Sequence, residues 1–366
     1  MQIKKKICII SSVDMSRMTI LSIYTEYLTK CGYEFDIICA KKKAENICPT
    51  ARNIYEFDAN KTAESHSLFK ILHFLRMRNL VKKVLSESKY DFIIVWNQVT
   101  AMLFADIFTK EYKGRYCVNV RDYIFDKLLP IRLITKKIYK NAAFNTISSD
   151  AFRRFLPNTG NFIMFHSFNA EMLSQIKPRE TIREPGEPIR IMYIGQIGWL
   201  ENVYALIDAL GNDKRFELLF IGSGAENLSE YIEKKQINNV YIHGRFMPSQ
   251  TVDFLKKADV IYNLYGYGNL HVDTALSIKL YYAVRLNIPI LVYENTYMQE
   301  IAEQCGIGFV MHGMEFNGMA DRLYKFYHER NLTDSKNKCE AYIECAIQSQ
   351  KDLCMKLEKV LNAEKE

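Results

Sequence analysis

The stretch Ile189-Arg190-Ile191-Met192-Tyr193-Ile194-Gly195-Gln196-Ile197-Gly198 decides the fold. A short apolar run rich in β-branched residues stops at a glycine, which is how a strand buried on both faces ends in a strand-to-helix turn. The pattern then repeats, with strands expected near 216–221, 239–243, 259–264, 289–293 and 308–311 and helical periodicity between them. Alternation of this kind is the signature of βαβ units in a parallel sheet.

Immediately upstream, Lys177 to Pro188 holds three prolines, a glycine and a single apolar residue, Ile182, and reads as a linker. A first alternating series precedes it. Its strands are expected at 5–11, 34–40, 53–57, 91–96, 115–120, 144–148 and 161–165, and its helices at 17–31, 66–87, 99–110, 130–141 and 150–156. Beyond residue 334 the apolar residues Cys339, Tyr342, Ile343, Ala346, Ile347, Leu353, Leu357 and Val360 recur at mostly three- and four-residue spacing, the stripe of a terminal helix. The expected organisation is an N-terminal Rossmann-like domain over 1–176, a linker over 177–188, a second Rossmann-like domain over 189–333, and a helix over 334–366 available to pack back on the first domain.

Composition agrees with two globular cores. The chain has 366 residues, 48% of them hydrophobic and 25% charged, with no biased tract. The apolar run Ile7-Cys8-Ile9-Ile10 is too brief for a secretory signal, and no segment has the length of a spanning helix. Nine cysteines without Cys-x-x-Cys or zinc-finger spacing fit a reducing compartment, so neither a disulfide nor a metal site is expected. The expected location is therefore cytoplasmic. Charge is unevenly spread: residues 1–183 hold 30 Lys+Arg against 17 Asp+Glu, leaving 19 against 25 for the remainder of a chain whose net charge is +7. The basic, amphipathic segments 70–83 and 127–140 suit an anionic bilayer surface, with a solvated helix face as the alternative. They lack the interleaved aromatic platform that stacks bases, which argues against nucleic acid.

In doubly wound sheets ligands bind outside the carboxyl ends of the strands. Three successive strand ends in the second half open with glycine: Gly195-Gln196-Ile197-Gly198, Gly222-Ser223-Gly224 and Gly244-Arg245-Phe246. Glycine permits close backbone approach and a following helix N-terminus favours phosphate, so together they point to a nucleoside-diphosphate site. Taken singly, each also suits a tight turn. The dinucleotide fingerprint and the Gly-x-x-x-x-Gly-Lys-Ser/Thr phosphate loop are both absent. In the first half Arg121-Asp122 follows strand 115–120, and Asp122 is the candidate general base or acceptor-hydroxyl ligand, with a local ion pair to Arg121 as the alternative. Asp14, Asn97 and His166 fall at the same sheet edge, His166 reading more simply as a core histidine.

Residues 191–310 resemble the C-terminal domain of the glycosyl transferases group 1, or family 4, with the GT-B fold. The resemblance is carried by Gly195 to Val203 with Leu206 to Leu210, by Leu218 to Gly224, by Val240 to Phe246 with Val252 to Val260, and by Leu276 to Val284 leading to Asn287 to Val292. The last stretch is similar to a Lys-Leu-x-Glu-Tyr segment and a Gly-x-Pro-Val strand of bacterial polysaccharide glycosyltransferases. The resemblance implies an α/β GT-B fold, two Rossmann-like domains with parallel sheets facing a cleft. It also implies transfer, usually with retention, of a sugar from a nucleotide-sugar co-substrate, UDP-sugar favoured, to a saccharide acceptor held mainly by the first domain; if the basic segments meet a bilayer, the acceptor is expected to be lipid-linked and the enzyme peripheral on the inner face of the plasma membrane. No further cofactor is implied.

By position in that family, Gly244, Arg245 and Phe246 lie along the base and Gly195 and Gln196 near the phosphates. A helix starting near Ala275, with Ser277 and Lys279 at its N-terminus, points at the diphosphate without a metal. The family's Glu-x7-Glu pair falls on Thr274 and Tyr282, so the carboxylate expected on the ribose hydroxyls is missing, and Asp273 or Glu294 is its candidate substitute. Glu201 stands where the family has a basic residue. These departures leave open a catalytically silent nucleotide-sugar-binding partner. A sugar-nucleotide epimerase shares the twin-domain fold but should show two cleft carboxylates and more histidine.

Overall fold

Every expected strand forms in the computed structural model, with ends displaced by one or two residues. The structure describes residues 5–18, 20–41, 47–58, 67–122 and 128–363, with backbone alone for 67–73. They divide into two units, residues 1–167 with 348–366, and residues 168–347.

The first unit holds β1 (Ile7–Ser11), α1 (Leu21–Lys30), β2 (Phe35–Ala40), β3 (Asn53–Phe57), α2 (Ser67–Ser88), β4 (Phe92–Trp96), α3 (Gln98–Leu103), α4 (Ala105–Lys110), β5 (Tyr116–Val120), α5 (Leu129–Asn141), β6 (Phe144–Ile147) and β7 (Phe162–Met164). The sheet runs β3-β2-β1-β4-β5-β6-β7 and is parallel throughout, with Ile7 opposite Phe35 on one side and Phe92 on the other. Alternate residues of β1 feed different cores: Cys8 and Ile10 pack on one face, Ile7 and Ile9 on the other. A strand covered on both faces has no polar face, which is why these runs read as continuous rather than alternating.

Helix starts account for most of the differences from expectation. The helix expected from residue 17 begins at Leu21, because Asp14 caps a separate 3-10 turn, Met15–Arg17, and Ile20 takes a left-handed conformation at φ 70°. The helix expected over 99–110 is two, since Phe104 leaves helical geometry at φ −122° with its ring fully buried.

The second unit opens with α6 (Ala170–Ser174), followed by β8 (Ile189–Ile194), α7 (Leu200–Leu210), β9 (Phe216–Ile221), α8 (Ser229–Lys234), β10 (Val240–His243), α9 (Thr251–Leu255), β11 (Val260–Tyr262), α10 (Leu270–Thr274), α11 (Ile278–Leu286), β12 (Ile290–Tyr293), α12 (Tyr297–Gln304), β13 (Gly308–Met311), α13 (Met319–Glu329) and α14 (Leu332–Asn362). Its sheet runs β10-β9-β8-β11-β12-β13, also parallel. Met192 and Ile194 of β8 join the core on one face, Ile189, Ile191 and Tyr193 that on the other. Both orders grow outward from the first strand and reverse beside it, so each sheet has a switch point of the kind that holds ligands.

The unit boundary falls upstream of the proline-rich segment. Phe168, Leu173 and Ile176 are buried in the second core, with the Phe168 ring 4.9 Å from that of Tyr281. Residues 177–188 stay on the second unit, where the Arg179 amide donates to Leu286 O at 2.7 Å. The last helix begins at Leu332, and its final turns belong to the first unit. Leu353, Leu357 and Leu361 share the core of Ile7, Tyr24 and Leu28, and each buried leucine stabilises that unit by about 1.5–3 kcal/mol. All nine cysteines are free thiols. Among the described residues no helix is long and apolar enough to cross a membrane.

Candidate functional site

The carboxyl ends of β8 and β11 and the start of α11 enclose an open pocket of about 460 Å³, lined by Tyr193, Gln196, Gly198, Trp199, Tyr265, Ala275, Leu276, Ser277 and Lys279. Each wall has a local cause. Tyr193, the penultimate residue of β8, accepts a hydrogen bond on its hydroxyl from the Gly198 amide at 3.2 Å and stacks on Tyr262 at 4.9 Å, which fixes the loop over the strand. Trp199 turns the chain into α7 at φ 54°. Its indole is 54% exposed and lies flat enough on Gly266 that a Cβ there would sit 2.9 Å from the ring.

Lys279 supplies the pocket's charge. Its ammonium lies 5.0 Å from the centroid of the Tyr193 ring and makes no ion pair among the described residues. Burial pushes it down to about 8. A lysine held this way is short of an anion, because only a negative partner offsets the desolvation. Ser277 is the N-cap of α11, its hydroxyl accepting from the Lys279 amide at 3.3 Å. That cap leaves its own O–H to donate outward, and the positive end of the helix faces the same space. The Tyr265 hydroxyl is buried without a hydrogen-bond partner among the described residues, and burial raises its pKa. A cation, a helix N-terminus, an orphaned hydroxyl and an exposed indole together suit a diphosphate bearing a ring.

Of the residues singled out in the sequence, Gln196, Ser277 and Lys279 line this pocket. The helix expected from Ala275 begins at Ile278, since Ala275 is the C-cap of α10 with extended backbone. Gly195 sits beside the pocket at φ 118°. Gly222 does not line it, and its lack of a side chain has a packing cause: a Cβ at 222 would lie 1.8 Å from Gly195 O. Gly224 is engaged locally, its amide donating to the exposed Glu226 carboxylate at 3.1 Å. Gly244, Arg245 and Phe246 follow β10 at the sheet edge, two strands from β8, with Phe246 packed on Phe254 at 5.3 Å.

The two positions of the missing carboxylates are buried: the Thr274 hydroxyl donates to Leu270 O at 2.6 Å, and Tyr282 lies in the core, pushed up to about 12 by burial. Both proposed substitutes are engaged locally. Asp273 accepts from the Gly268 amide at 2.9 Å, and Glu294 holds His312 at 2.8 Å. Glu201 is exposed in the first turn of α7 and does not line the pocket.

In the first unit Asp122 is exposed two residues beyond β5. Tyr123 and Lys127 lie outside the described residues. Asp14 and Asn97 are cap residues, accepting from the amides of Ser16 at 3.1 Å and Thr100 at 2.9 Å. His166 is buried, and burial pushes it down to about 4. Tyr193, Trp199 and Tyr265 are the pocket residues that sequence reasoning did not single out. Trp199 had a signal, an aromatic directly after a glycine-ended strand; Tyr193 and Tyr265 had none beyond their strand context.

Two doubly wound parallel sheets, the second carrying an anion-seeking pocket at its strand carboxyl ends, define the GT-B class. Residues 174–348 match the family described as Glycosyl transferases group 1. That match covers nearly all of the second unit, and the chain is a glycosyltransferase of the GT-B type. No curated protein matches the chain. Among solved structures it is similar to sucrose-phosphate synthase from Thermosynechococcus elongatus, with TM-score 0.70 and 12% identity over 97% of this chain and 100% of that one. It is similar to HepE of Anabaena in complex with UDP and glucose, with TM-score 0.65 and 13% identity over 97% and 100%. A structure described as trehalose-6-phosphate from E. coli bound with UDP-2-fluoro glucose matches with TM-score 0.66 and 8% identity over 98% and 99%. Likeness at these identities concerns the fold.

Proposed function

We propose that this glycosyltransferase moves a sugar from a UDP-sugar to a saccharide or lipid-linked saccharide acceptor in cell-surface polysaccharide synthesis, with retention and without a metal. The observation that carries the donor assignment is the unpaired Lys279 ammonium at the N-terminus of α11, beside the loop Gln196–Gly198. As the bond to the sugar breaks, negative charge gathers on the leaving diphosphate. Lys279, the helix N-terminus and the Ser277 hydroxyl stabilise that charge in place of a metal ion. Trp199 offers an aromatic face to a ring, and Asp122 is the proposed acceptor-side carboxylate. UDP or a UDP-sugar bound in two structural neighbours supports uracil as the base.

A second reading has a specific observation behind it. Thr274 and Tyr282 are buried and carry no carboxylate, which suits a partner that binds the nucleotide-sugar without turning it over. Calorimetric titration with UDP, GDP, ADP and CMP, followed by donor hydrolysis and transfer assays, separates the two. UDP binding with turnover supports transfer; tight binding without turnover in any acceptor panel supports the silent partner; no nucleotide binding removes the donor site.

For the acceptor side we propose a peripheral position on the inner leaflet. Helix α5 exposes Leu129, Leu133 and Ile134 beside Arg132, Lys136 and Lys137, an apolar strip flanked by cations. Co-sedimentation should occur with phosphatidylglycerol vesicles, fail with phosphatidylcholine, and weaken in Leu133→Glu. Equal sedimentation of that variant would remove the membrane assignment.

A further inference from the structure

At the amino ends of the strands of the second sheet, where Arg190 is the second residue of β8, Asp259 precedes β11 and Ile288 precedes β12, lies a second pocket of about 280 Å³. Arg179, Arg183, Arg330, Thr181 and Tyr327 line it. Arg183 and Arg190 share the Asp259 carboxylate at 3.0 and 2.9 Å, and Arg183 also reaches Glu187 at 3.6 Å. Arg179 and Arg330 have no carboxylate partner among the described residues. Arg179 donates to the carbonyls of Lys256 and Ala258, and Arg330 to Asn287 O at 3.0 Å.

These contacts leave the buried Nε of Arg179 and the buried Nε and Nη2 of Arg330 without a hydrogen-bond partner among the described residues. Burial pushes the Arg330 guanidinium down to about 10, and Asp259, already shared by two arginines, offsets only part of that. Counting Arg190, which pairs with Asp259 but does not line the pocket, four guanidinium groups are set against two carboxylates, a local excess of two positive charges. Buried donors are rarely left unsatisfied, and a buried guanidinium least of all.

We propose that this pocket is a binding site for a phosphate group, free or as a small phosphomonoester, separate from the donor pocket. A phosphate dianion matches the excess charge, and its several oxygens can accept from more than one guanidinium at once. The volume is roughly nine times the ~30 Å³ share of one water, which leaves room for an organic substituent. The six residues of β8 put about 20 Å between this end and the donor pocket, so one ligand does not fill both.

Calorimetry and thermal unfolding of the full chain with inorganic phosphate and with glycerol 1-phosphate, in chloride buffer, test the proposal. Wild type and Lys279→Ala should bind alike, while Arg330→Gln and Arg179→Gln should each lose about tenfold or more, the scale of a lost charge-assisted hydrogen bond. Thr181→Glu covers the case in which an arginine variant misfolds, because it sets a carboxylate at an exposed rim position and leaves every guanidinium contact intact; it should abolish binding. Tighter binding of glycerol 1-phosphate assigns a phosphomonoester, and equal or weaker binding assigns free phosphate. Absence of binding or stabilisation by either probe, tighter binding of succinate than of both, or loss of affinity in Lys279→Ala in place of the arginine variants overturns the proposal.

Discussion

Replacing Lys279 by methionine should make the second unit more stable and the donor site weaker. The wild-type ammonium is held by burial at about 8, against an ordinary 10.5, and that difference is worth roughly 3 kcal/mol of destabilisation at pH 7. Its contact with the Tyr193 ring at 5.0 Å returns on the order of 1 kcal/mol. Methionine fills the same space without the charge, so after allowing for the lysine's residual solvent contact a net gain of about 1–2 kcal/mol is expected, or roughly 2–8 °C in Tm. The same change removes a charge-assisted hydrogen bond to the diphosphate, worth about 1.5–3 kcal/mol, and should weaken UDP binding roughly 10- to 150-fold. Thermal melts with and without UDP, alongside calorimetry at pH 7, read both effects. A variant that melts below wild type without UDP, and binds UDP with unchanged affinity, would refute the reasoning on both counts.

The pH dependence follows from the same residue. Because Lys279 is depressed, the unfolded chain binds the extra proton between pH 8 and 10.5; stability of the wild type should rise with pH across that window while UDP affinity falls, and Lys279→Arg should remove the fall in affinity. Gly222→Ala should destabilise the second unit by on the order of 3 kcal/mol, since its Cβ meets Gly195 O at 1.8 Å and φ is 139°. Gly198→Ala meets nothing within 4 Å and should leave Tm within the shift caused by about 0.5 kcal/mol. In the first unit, burial pushes the Asp36 carboxyl up, but hydrogen bonds from Arg52, Tyr90 and Asn53 outweigh it and hold it below its ordinary value. Its contribution is present above pH 4 and lost as pH falls through the depressed value, and Asp36→Asn should cost about 3 kcal/mol in urea unfolding at pH 7.

The candidate site was legible in the sequence to the extent that it depends on chain-local signals. Gln196 was found because it follows a glycine-ended strand, and Ser277 and Lys279 because they lie in the Leu276 to Val284 stretch that carries the family resemblance. At Gly222 the same signal has a packing cause. A glycine that makes room for a neighbouring backbone and one that makes room for a ligand look identical in sequence, and here the neighbour is Gly195 O. Tyr193 and Tyr265 escaped notice for the converse reason. A tyrosine near a strand end reads as core, and only the folded chain leaves the Tyr265 hydroxyl buried beside a pocket with no hydrogen-bond partner among the described residues.

The sequence alone determined the two series of parallel strands, because a strand buried on both faces must be continuously apolar and must stop where glycine or a polar cluster lets the chain turn. It also determined that the Thr274 and Tyr282 positions carry no carboxylate. Tertiary structure alone decided where the units part, since burial of Phe168 against Tyr281 outweighs the proline-rich look of 177–188. It alone decided that Lys279 stands without an acid among the described residues and that Arg179 and Arg330 share a pocket. Charge pairing is a property of distances between residues far apart in the chain, and periodicity and spacing carry no information about those distances.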